Sequence, residues 1–107
     1  MSFKKYLEDI EYPTENNNWN ISGIIKNRTN QKLTFDTRPL LKTKEGELGK
    51  YASLNTQADK MVFEEKDSFI IVDVKELISY CKDNGIKKVY LQDLISKLDW
   101  NIILPKN

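Results

Sequence analysis

Apolar residues along this chain change their spacing several times, and each change marks an expected element. Phe3, Tyr6, Leu7 and Ile10 recur at helical spacing, with Ser2 placed to cap a first helix and Pro13 to close it. After the polar run Glu15-Asn16-Asn17-Asn18, the spacing shifts toward alternation through Trp19, Ile21, Ile24 and Ile25, predicting a strand over 19–26. Gly23 interrupts that alternation and is the expected site of a bulge. A turn-rich run at 27–31 then leads into 32–37, read as the antiparallel partner. From 38 to 57 the pattern weakens. Pro39 is expected to end the strand, and Lys44-Glu45-Gly46-Glu47 is turn chemistry, so the segment reads as a long loop with at most one short element.

The second half has sharper punctuation. Residues 60–65 and 69–72 are apolar runs on either side of Lys66-Asp67-Ser68, which predicts a hairpin. Residues 74–84 form a helix with Val74, Leu77, Ile78 and Cys81 inward, Asp73 as N-cap, Glu76 at the capping-box position and Gly85 as the left-handed C-terminal cap. A short strand is expected at 87–91, a helix at 92–99 burying Leu94, Ile95 and Leu98, and a final strand at 100–104 before Pro105. The expected fold is a single α+β domain over 1–107. Its sheet is mainly antiparallel, with about five to six short strands, packed with an N-terminal helix and two helices in the C-terminal half.

Composition narrows the chemistry. The chain has 107 residues, 17 basic and 16 acidic side chains and no histidine. Lack of histidine removes Ser-His and Cys-His nucleophile pairs and imidazole metal ligands. A single cysteine, Cys81, allows neither an internal disulfide nor a thiolate zinc site, and its helical position makes it a core residue. The opening residues run into charges rather than an apolar stretch, which predicts a cytoplasmic protein, or one made in a host-cell cytoplasm.

Charge is balanced overall but not along the chain. Between 26 and 50, seven basic residues (Lys26, Arg28, Lys32, Arg38, Lys42, Lys44, Lys50) stand against Asp36, Glu45 and Glu47. Between 59 and 76, six acids stand against Lys60, Lys66 and Lys75. Opposite-sign patches on a small domain poor in catalytic residue types suit a protein-binding module that occludes its partner: an inhibitor, an immunity protein or a phage or mobile-element anti-defence protein. Its expected contact residues are Arg38, Lys42, Lys44 and Lys50, with no cofactor. The same four residues would serve an accessory protein that binds nucleic acid.

One enzymatic alternative has specific residues behind it. Asp59 begins a strand, and Asp73-Val74-Lys75 follows after a hairpin. That order resembles the PD-(D/E)XK nuclease superfamily, in which two carboxylates hold a divalent cation and a lysine assists the attacking water. The resemblance implies Asp59 and Asp73 as ligands of magnesium or manganese and Lys75 as the catalytic lysine. The residue before Asp59 is Ala58 where that family has proline. The two readings of Asp73, helix cap or metal ligand, make opposite demands on Lys75. A cap puts it in a helical turn, whereas a metal site needs it on a strand.

Overall fold

The computed structural model describes residues 3–14, 19–43, 46–49, 56–85, 89–90 and 96–106. Phe3–Tyr6 is one 3-10 turn. The chain then runs through β1 (Leu7–Glu11), β2 (Ile21–Ile25), β3 (Leu33–Thr43), β4 (Gly46–Gly49), β5 (Lys60–Glu64), β6 (Ser68–Asp73), helix α1 (Val74–Asn84), β7 (Val89–Tyr90) and β8 (Asn101–Pro105). Six strands form a mixed, curled sheet in the order β1-β2-β3-β5-β6-β8, a half-barrel, and β4 and β7 extend it from the far part of β3. The contact between β3 and β5 is parallel; the other pairings are antiparallel.

This corrects the expected mainly antiparallel sheet with three helices. Among the described residues the helical structure is α1, the 3-10 turn and the two residues Ser96 and Lys97. The first expected helix is replaced by that turn and β1. Eight residues make a marginal helix, and the open edge of β2 offers a ladder instead, with Leu7 opposite Ile25 and Glu8 opposite Ile24. Of the helix expected at 92–99, residues 92–95 lie outside the described residues, and only Ser96 and Lys97 are helical. The expected loop from 38 is corrected too. β3 continues through Pro39 to Thr43 and turns into β4, with Lys42 opposite Glu47. Pro39 is tolerated because it closes the β3–β5 ladder, opposite Glu64, where β3 hands over to β4. β2 pairs only with residues 33–35, so the missing N–H breaks no ladder on that side.

Other expectations hold. The 19–26 and 32–37 strands pair antiparallel, the 60–73 hairpin forms, and α1 has the expected limits and caps. Gly23 does mark an irregularity, although the extra residue is on its partner. The register of β1 slips between Glu8 and Glu11, and Asp9 takes a φ of 53°.

The core lies on both faces of the sheet. Inside the curl, Phe3, Leu7, Ile21, Ile25, Leu33, Phe35, Val62, Phe69, Ile71 and Leu104 pack together. On the outer face, Met61, Phe63, Ile70 and Val72 pack under Val74, Leu77 and Cys81 of α1. Strands β5 and β6 therefore read as continuous apolar runs because both of their faces are covered. Tyr6 donates its hydroxyl proton to the Pro105 carbonyl and so ties the turn before β1 to the end of β8.

Candidate functional site

Asp59 and Asp73 come close along the chain path but face different ways. Asp59 sits between Thr34 of β3 and Val74: its N–H reaches the Thr34 carbonyl at 3.1 Å, and its own carbonyl accepts from Val74 N–H at 3.2 Å. Its Oδ2 accepts from the Thr34 N–H at 3.0 Å and from the Thr34 hydroxyl at 3.1 Å. Asp73 stands opposite Lys60 in the β5–β6 pair, and its Oδ1 lies 2.7 Å from Lys60 Nζ. Cross-strand neighbours share a face and successive residues alternate. Asp73 and Lys60 therefore lie on the inner face, where the Lys60 ammonium also covers the Trp100 ring at 3.9 Å. Asp59, one residue before Lys60, lies on the outer one. Each carboxylate thus has its own partners, Thr34 for Asp59 and Lys60 with the α1 cap for Asp73.

Asp73 is also the N-cap. Its Oδ2 accepts from the Glu76 N–H at 3.1 Å, with Asp73 itself extended at φ −78° and ψ 127°. Lys75 is exposed in the first turn of α1. Glu76 does not complete the reciprocal half of the capping box; its Oε1 accepts from the Trp100 N–H at 3.0 Å and ties α1 to the entry of β8. Burial would raise the Asp73 pKa, but it is held below the ordinary carboxylate value. The Lys60 hydrogen bond, the Glu76 N–H and the charges of Lys60 and Lys75 together outweigh burial. Cys81 is buried, and burial pushes its thiol pKa up.

The basic segment is divided. Arg38 Nη2 is 2.8 Å from Asp36 Oδ2, and both side chains are largely covered. Lys42 is on the β3–β4 hairpin, while Lys44 and Lys50 lie outside the described residues. Among the described residues, no three of the acids and the cysteine gather as a metal-binding group.

A different site emerges at the open end of the half-barrel. A cleft of about 280 Å³ has Phe3, Ile21, Val62 and Phe69 as its floor and Lys4, Tyr12, Asn20, Thr37 and Glu64 at its mouth. These residues are scattered from 3 to 69, so no contiguous motif announces them. A subtler signal does exist. The inner-face series on β3 runs Leu33, Phe35, Thr37, and on β5 it runs Lys60, Val62, Glu64; both end polar on the cleft side.

No protein-family model, curated protein or solved structure matches the chain.

Proposed function

We propose that the chain is a small protein-binding module that acts by covering a partner's surface, as an inhibitor, immunity protein or anti-defence protein does. The observation that carries this reading is the commitment of Asp59 and Asp73, on opposite sheet faces, to Thr34 and to Lys60 with the α1 cap. A two-carboxylate metal nuclease needs both at one ion; a protein that works by occlusion needs neither. The contact residues assigned to it are Lys42 of the β3–β4 hairpin and, from the basic excess of the sequence, Lys44 and Lys50. Arg38 is given a lesser part, because Asp36 already holds its guanidinium.

The test begins with capture of a protein partner at low salt, followed by association kinetics. If these lysines serve binding rather than the core, reversing charge at Lys42 and Lys44 together should shift unfolding free energy by less than about 1 kcal/mol. It should slow association with an acidic partner, and added salt should mimic the change. Association at the wild-type rate in low salt would remove the hairpin from the interface. Cleavage of DNA or RNA with manganese, abolished by Asp73→Asn, would overturn the reading itself.

A further inference from the structure

We propose that the cleft at the open end of the half-barrel binds an apolar group of side-chain size bearing a carboxylate, whether a small free acid or the last residue of a peptide. This goes beyond the hairpin surface and stands or falls separately from it. The size follows from the volume: about 280 Å³ is at the small end for ligand pockets and exceeds the roughly 150 Å³ that holds a benzene ring, which leaves room for one ring or branched chain with a short linker and its head group. Phe3, Ile21, Val62 and Phe69 give the cleft an apolar floor, and Val62 is fully buried beneath it.

The sign of the head group follows from which rim groups are already satisfied. Glu64 is the acid at the rim, and Lys106 neutralises it at 3.0 Å. Lys4 has no ion pair among the described residues. Asn20 is oriented by Thr37, whose N–H donates to Asn20 Oδ1 at 2.7 Å and whose hydroxyl donates to the same oxygen at 3.2 Å. With Oδ1 so occupied, the Asn20 amide hydrogens have no partner among the described residues. Tyr12 adds a hydroxyl and is 58% exposed. Among the described residues the rim thus offers the Lys4 side chain without an ion pair and an oriented Asn20 amide donor around an apolar floor, with Glu64 already paired. A carboxylate accepts from both donors, while a cation would meet Lys4.

The experiment uses 3-phenylpropionate and its neutral amide, titrated into the protein and followed by backbone amide shifts of Asn20, Ile21 and Thr37. The acid should bind with a Kd on the order of 1 mM, and the amide at least about fivefold more weakly. Lys4→Gln should remove that preference and Lys4→Arg should keep it; both are exposed changes, and an unchanged amide spectrum elsewhere confirms the fold. A glycine-rich peptide ending in phenylalanine distinguishes the sources. Tighter binding than the free acid, lost on C-terminal amidation, assigns the site to a chain terminus, whereas weaker binding assigns it to a small acid. The proposal is overturned if acid and amide bind alike, if Lys4→Gln keeps the preference, or if neither probe shifts those amides at about 10 mM.

Discussion

The segment from β5 to the end of α1 and the segment from Phe3 to the end of β2 are held in opposite ways. In the first, partners lie near one another in sequence. Glu65 N–H reaches the Ser68 carbonyl at 2.9 Å across the hairpin, Asp73 caps the helix that follows it, and Gly85 closes that helix at φ 61°. In the second, stability comes from distant residues. Phe3 packs its ring on Phe35 at 5.2 Å and on Phe69 at 5.7 Å, and Tyr6 bonds to Pro105. β1 buries one residue, Leu7, and presents four to solvent. Its charges and its slipped register at Asp9 are how an edge strand resists pairing with another chain. The β5–β6–α1 segment carries its turn and both helix caps within itself, besides its ladders to β3 and β8, whereas β1 and the turn before it rest on residues distant in sequence.

Phe69→Ala should give the largest effect, because this fully packed ring joins the two segments. A loss of about 3–5 kcal/mol is expected in urea unfolding. Hydrogen exchange under native conditions should show β1 amides losing protection before those of α1. Loss at α1 first would break the comparison. Gly23→Ala tests the same boundary more gently. A Cβ at Gly23 would sit 2.9 Å from the Glu8 carbonyl oxygen and 3.1 Å from Leu7 Cβ, too close to hold without β1 moving. The expected cost is about 1–3 kcal/mol, with β1 exchange accelerated and α1 exchange following only the global change.

The same contrast explains what could be read from the sequence. The 60–85 segment was legible because turn, cap, apolar run and helix stop are all local signals that agree. The N-terminal segment departs from the helical spacing of Phe3, Tyr6 and Leu7 because the edge of β2, which decides the outcome, is not local information. Ile10 shows the conflict directly: a buried position in the expected helix, it is 37% exposed on β1. Pro39 misled for a related reason, since its effect depended on which neighbour β3 had at that point. The opposed faces of Asp59 and Asp73 follow from register, which no motif spacing contains. The cleft needs four strands in place before its residues meet.

Asp73 gives the smallest expected effect and separates two local contributions within the β5–β6–α1 segment. Asp73→Ala removes both the cap and the Lys60 ion pair, whereas Asp73→Asn keeps a side chain that caps comparably and removes only the charge. The alanine variant should lose about 1 kcal/mol or somewhat more, the asparagine variant less, because a partly exposed ion pair contributes little. The pH dependence gives the sign. Since the folded carboxylate is more acidic than the ordinary value of about 3.9, its contribution is fully present above that value. It is lost as pH falls through the lower folded-state pKa, where protons bind the unfolded chain first. The gap between wild type and Asp73→Asn, measured by thermal melts from pH 7 to about 2.5, should therefore close at the acidic end. Exchange at β1 should follow only the global stability in both variants. A gap that stays flat across the range would mean that Lys60 does not stabilise the charged form of Asp73, leaving the cap alone to hold the start of α1.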